Sequence, residues 1–111
     1  SVERLRSLAI RAREVLDRLR ISNVAILVGD GTIGWSRYAP YDAILVAAGS
    51  PSVPEPLVNQ LRVGGKMLVP VGTMESQSLV MVTRTETGFD QEEVLECTFV
   101  PLLGRFGWDE A

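Results

Sequence analysis

Asn23-Val24-Ala25-Ile26-Leu27-Val28-Gly29-Asp30-Gly31-Thr32-Ile33-Gly34 is the stretch on which the fold turns. An apolar run, β-branched in part, fills positions 24–28 and stops at a glycine. Such a short run, closed by a turn residue, reads as a buried strand. Residues 29–41 then carry Gly29, Gly31, Gly34 and Pro40, so a loop with at most a short turn is expected there. Behind Asp42 comes a second apolar run, 43–48, which reads as a second buried strand.

Upstream, Leu5, Leu8, Ala12, Val15, Leu16 and Leu19 recur at helical spacing, with arginines and acids between them. This predicts an amphipathic helix over 4–19 with one face for a core. Downstream, 49–54 reads as a turn and 54–61 as a short helix. Pro54 and Pro56 suit a first turn, where the missing N–H would be unpaired anyway. Gly64 and Gly65 are expected to end that helix, and 66–71 to form a third strand. Two longer strands, 79–84 and 94–102, flank a polar stretch with Gly88, and neighbours joined by a turn run antiparallel. Alternating strands and helices imply an α/β fold, a mostly parallel sheet with a C-terminal antiparallel hairpin. At 111 residues the chain is expected to be a single domain.

Composition narrows the function. The net charge is −3 and the basic residues are dispersed, a poor basis for gripping a nucleic-acid backbone. There is no histidine, which argues against a serine-hydrolase triad and against a zinc site. No apolar run is long enough for a membrane span, and no signal peptide is visible. Cys97 is the one cysteine, so no internal disulfide forms; a cytoplasmic location is the expectation. Cys97 itself reads as a small buried apolar residue. Gln91, Glu92, Glu93 and Glu96 read as a solvated acidic stretch rather than a metal site.

Four blocks in order resemble one family. They are Val28-Gly29-Asp30-Gly31-Thr32-Ile33-Gly34; Ala39-Pro40-Tyr41-Asp42-Ala43-Ile44-Leu45-Val46-Ala47-Ala48 with Pro54-Glu55-Pro56-Leu57-Val58-Asn59-Gln60-Leu61; Gly64-Gly65-Lys66-Met67-Leu68-Val69-Pro70-Val71-Gly72; and Phe99-Val100-Pro101-Leu102 with Gly104. At this spacing they resemble the protein-L-isoaspartate O-methyltransferases. The resemblance implies a partial Rossmann-like methyltransferase sheet, S-adenosylmethionine as methyl donor with S-adenosylhomocysteine as product, and damaged proteins bearing L-isoaspartyl residues as substrates. It also implies a departure. The family's first strand, its Gly-rich cofactor loop and a serine or threonine near the substrate carboxylate are not found here, so the catalytic residues are expected to lie ahead of Ser1. Two strands would then be lacking between 24–28 and 43–48, to be made up by a second copy, by an N-terminal half or by a rearranged sheet.

Within the resemblance, Glu3, Asp30, Gly31 and Ala47 are the cofactor-binding candidates. Glu3 follows a strand end, where an acid can accept from ribose hydroxyls; equally, it is an acid favoured at a helix start. Asp30 could accept from the adenine amino group with Gly31 letting the backbone approach, while Asp-Gly is also an ordinary turn pair. Ala47 and Ala48 leave room at a strand end, or simply pack closely. Val100, Pro101 and Leu102 are the candidates for holding an isoaspartyl peptide along an extended segment; the plain alternative is a last strand with proline at an edge. Trp35 packs near the adenine or covers the core edge, and Asp42 reads as structural.

Two rival functions stay open at this point: a methyltransferase of the same fold with another acceptor, and a non-catalytic fragment or partner-binding module. A nicotinamide oxidoreductase is set aside on the expectation that the Gly-x-Gly-x-x-Gly fingerprint of that class is not present.

Overall fold

The computed structural model describes residues 1–110, which form two compact units, Ser1–Gly31 and the chain from Thr32 onward. In the first, strand β1 (Val2–Glu3) lies parallel to β2 (Leu27–Val28), joined by helix α1 (Arg6–Arg18). Parallel neighbours require such a crossover. The ladder is extended by the Leu27 N–H to Ser1 O at 2.9 Å and the Gly29 N–H to Glu3 O at 3.0 Å. Arg13 ties the helix to the connection behind it. Its Nη1 donates to Val24 O at 2.7 Å, and it pairs with Asp17 one turn on, at 3.0 Å.

The helix is where its periodicity put it, but other expectations need correction. The strand expected over 24–28 is only Leu27–Val28, because a ladder is no longer than its partner and β1 supplies two residues. β1 is itself a neighbour of β2, so that run has a pairing partner within its own unit. The apolar face of α1 is also barely used: Ala9 is buried, whereas Leu5, Leu8, Val15 and Leu19 are exposed. Two-residue strands are too short to cover four helical turns.

The second unit is a sheet of order β3-β4-β5-β6, formed by Tyr41–Leu45, Leu61–Gly72, Gln77–Arg84 and Phe89–Cys97. β3 and β4 are parallel, and β5 runs antiparallel to both of its neighbours. Helix α2 (Glu55–Gln60) comes directly after Pro54 and covers one face of the sheet. Leu57 and Val58 of α2 pack with Leu61, Met67, Val69, Val80 and Val82, and Ile44 and Val46 join from the side. The register explains the selection. Ile44, Met67 and Val82 stand in one row across three strands, and alternate residues share a face.

The neighbouring row, Leu45, Leu68 and Met81, lies on the other face, where Leu45 is 78% exposed. The run expected to be a strand buried on both faces, 43–48, is therefore a shorter edge strand covered on one face. Burial depends on a covering layer, which an apolar run signals but does not provide. Gly64 and Gly65 do not end α2. The helix stops at Gln60, β4 starts directly at Leu61, and the glycines lie inside β4, Gly64 at φ 83°. There β4 spends the residues between Leu61 and Lys66 against the step from Tyr41 to Ala43, a bulge-like shift of register. The last strand ends at Cys97, short of the expected 94–102. Asp42 pairs with Arg62 at 2.8 Å on the surface, a structural contact worth little energy.

Candidate functional site

Candidate site residues occur in both units, a separate group in each. In the first, Glu3 and Val28 are opposite one another as the last residues of β1 and β2, so Glu3 stands at the carboxyl end of its strand and the Gly29-Asp30-Gly31 loop follows directly beyond that of its parallel neighbour. Ligands of open α/β sheets are held at such strand ends. Glu3 is half-buried, and its Oε1 accepts the Leu5 N–H at 3.1 Å, so the helix-start role is present in the structure. A carboxylate has about four lone-pair sites, so this bond leaves capacity to accept from a ligand. Asp30 is half-buried and already engaged in an interaction of its own. An ideal Cβ on Gly31 would meet no other described atom within 4 Å, so the backbone there is open to close approach.

In the second unit, the backbone leaves β3 at Leu45. The Val46 N–H still bonds to Leu68 O at 2.9 Å, and exposed Ala47 lies just past the strand end. Gly49 and Ser50 come next, both buried. Gly49 is the point to which the tail returns. Its N–H donates to Val100 O at 2.7 Å, and its carbonyl accepts the Leu102 N–H at 2.8 Å. Pro101 therefore sits in an isolated parallel bridge with Gly49, not in a strand of the sheet. The Val100 side chain is 69% exposed. The Trp108 N–H closes the tail onto Leu102 O at 2.8 Å, and Trp108 Nε1 donates to Gly49 O at 3.0 Å. The segment read as a peptide-holding strand is thus extended, exposed and anchored beyond the carboxyl end of β3.

Sequence reasoning missed side chains that brace the neighbouring loops. Gln60 was read only as part of a short helix. Its Oε1 accepts the Trp35 N–H and its Nε2 donates to Ile33 O, both at 2.9 Å. Between them Gly34, at φ 69°, leaves no room for a Cβ, which would come within 2.3 Å of the Gln60 amide. Thr32 is fully buried and accepts the Phe106 N–H at 3.1 Å. No local pattern reveals these contacts, because each joins residues far apart in sequence. Trp35 is half-buried, edge-on to Tyr38 with ring centroids 5.0 Å apart, and its carbonyl accepts the Tyr41 hydroxyl.

The ground for setting aside a nicotinamide oxidoreductase also needs correction. Gly29, Gly31 and Gly34 do have the Gly-x-Gly-x-x-Gly spacing. The difference lies downstream of the glycines. The fingerprint of that class opens a helix whose N-terminus meets the pyrophosphate. Here the glycines lead into 3₁₀ turns, Gly31–Ile33 and Ser36–Tyr38, and then into β3. Among the described residues, no group of three or more potential metal ligands converges, and no helix is long and apolar enough to cross a membrane.

Solved structures place this architecture. The chain matches a protein-L-isoaspartate O-methyltransferase at TM-score 0.88 and 32% identity, over 96% of this chain and 34% of the other. It also matches a Plasmodium falciparum protein, described as a putative protein-L-isoaspartate O-methyltransferase in complex with S-adenosyl-L-homocysteine, at TM-score 0.76 and 26% identity. That match covers 92% of this chain and 50% of the other. The fold is the mixed α/β sheet of the Rossmann-like methyltransferases.

Within that class, the family model for protein-L-isoaspartate(D-aspartate) O-methyltransferase matches residues 1–107, and the chain belongs to this family. Similar relatives include protein-L-isoaspartate O-methyltransferase 2 of Geotalea uraniireducens (strain Rf4), 52% identical, and the protein-L-isoaspartate O-methyltransferase of Geobacter metallireducens, 51% identical. Each match covers 97% of this chain. The chain spans about half the length of these curated relatives, 50% in both cases.

Proposed function

We propose that this chain supplies the adenosine-binding residues and one side of the peptide site of a cytoplasmic protein-repair methyltransferase, with proteins carrying L-isoaspartyl residues as substrates. The observation that carries this reading is the placement of Glu3 and Asp30-Gly31 at the carboxyl ends of two adjacent parallel strands. These residues fit S-adenosylmethionine. Glu3 has acceptor capacity for the ribose hydroxyls, Asp30 offers a carboxylate to the adenine amino group, and Gly31 presents open backbone. When bound, the cofactor supplies a methyl group on a sulfonium, so that methyl transfer to a carboxylate oxygen breaks the carbon–sulfur bond and leaves S-adenosylhomocysteine.

The residues of this chain bind and align. An isoaspartyl carboxylate is already ionised at neutral pH, so no general base is required, and a chain without histidine suits the reaction. Alignment then dominates the rate. Ala47 keeps the strand end small, and Val100, Pro101 and Leu102 hold the peptide along their extended backbone. The catalytic serine or threonine that the family resemblance implies is assigned to none of these residues.

Paired titrations test this reading. The protein should bind a short isoaspartyl peptide more tightly than the same peptide with normal aspartate. Equal affinity for the two would point to a same-fold methyltransferase with another acceptor, or to a non-catalytic module.

A further inference from the structure

Gln77 opens β5 and is 3% exposed, a buried polar side chain. Both ends of its amide are satisfied. Nε2 donates to Thr73 O at 2.6 Å, and Oε1 accepts the Phe99 N–H at 2.7 Å. The two partners fix the orientation of the amide, since a carbonyl only accepts and an N–H only donates. Gly49 makes the space: a Cβ there would lie 2.7 Å from Gln77 Cδ and 3.1 Å from its Cγ. The residue that anchors Val100 and Leu102 is thus packed directly on the residue that holds Phe99.

An apolar side chain of similar volume would fill this position for packing alone. What the amide adds is direction. Successive residues of an extended segment face opposite ways. Holding the Phe99 N–H on Gln77 while Val100 O is held on Gly49 sets which way the Val100 side chain points, and it points outward.

We propose that Gln77 is a positioning residue for substrate: its buried amide, seated on Gly49, holds Phe99 to Leu102 in the extended form that receives an isoaspartyl peptide. This rests on the reading of that segment as the peptide side of the site.

The test uses Gln77→Met, with amide hydrogen exchange and titrations of an isoaspartyl peptide and of S-adenosylhomocysteine. Exchange at Phe99 should accelerate about tenfold and the peptide Kd rise about tenfold, the scale of one lost buried hydrogen bond. Protection at Val69 and Val80 and the affinity for S-adenosylhomocysteine should hold. Unchanged peptide affinity, with Phe99 exchange accelerated, would reduce Gln77 to a structural part and overturn the proposal. So would retained protection at Phe99.

If Val69 and Val80 also lose protection, Gln77→Glu decides at acid pH, where a protonated carboxyl keeps both an acceptor for the Phe99 N–H and a donor for Thr73 O. Phe99 must then stay protected, and its loss would overturn the proposal. A parent protein that does not distinguish isoaspartyl from aspartyl peptide would instead remove the functional reading beneath it.

Discussion

Glu3 has one role in the structure and a second that is proposed. Its Oε1 holds the Leu5 N–H at the start of α1, and its position at the carboxyl end of β1 suits a ribose. Both readings were legible in the sequence, because an acid between a strand end and a helix start serves either. Glu3→Gln separates them. The amide oxygen still accepts the Leu5 N–H, so stability should change by no more than about 0.5 kcal/mol, while S-adenosylhomocysteine binding should weaken about tenfold or more through loss of a charged acceptor. A denaturant melt and a calorimetric titration read the two effects, and unweakened binding would leave Glu3 a helix-start acid alone. Gln60 was not legible, since glutamine in a short helix has many possible partners. Gln60→Leu removes the bonds to Trp35 and Ile33 and should cost about 1–3 kcal/mol. Urea denaturation monitored by tryptophan fluorescence would register that loss.

At the level of elements, the order of helix, strand and hairpin could be read from periodicity, and burial could not. The runs 43–48 and 66–71 look alike as apolar strings. In the sheet they contribute Leu45, largely exposed, and Met67, fully buried, to different faces. The difference comes from α2, which covers the Met67 face, and from the edge position of β3. Met67→Ala should therefore cost about 2–5 kcal/mol, and Leu45→Ala no more than about 0.5 kcal/mol, as judged by denaturant midpoints at equal m-value. The tail shows a related limit. Residues 94–102 read as one strand, yet the ladder ends at Cys97 because β5 begins at Gln77, its register partner. Beyond that point Gln77 and Gly49 take over the pairing through a side chain and an isolated bridge, which no strand pattern encodes.

At the scale of the whole molecule, the two units differ in how they are held. The ladder of β1 and β2 is two residues long, whereas β4 to β6 pair along seven or more positions over a packed core. Local opening depends on the number of buried contacts that must break. Amide exchange should therefore show Leu27 and Gly29 opening at lower free energy than Met67 and Val82. Equal protection would mean that the short ladder is stabilised by something other than its own pairing. The α/β class, the hairpin and the family resemblance were all visible in the sequence, carried by strand-like runs and four motif blocks. The division into two units was not visible, because it depends on the contacts made within each unit, not on any residue type.

The proposed function stands most directly on Asp30 and Gly31 as adenosine-binding residues. An amide NMR titration of S-adenosylhomocysteine into the 111-residue chain tests this, repeated with Asp30→Ala. The predicted result is that the amides of Asp30 and Gly31 shift in the parent chain, and that the shifts shrink with weakened binding in the variant. Binding that leaves those amides unmoved, or that persists undiminished in Asp30→Ala, would contradict the assignment.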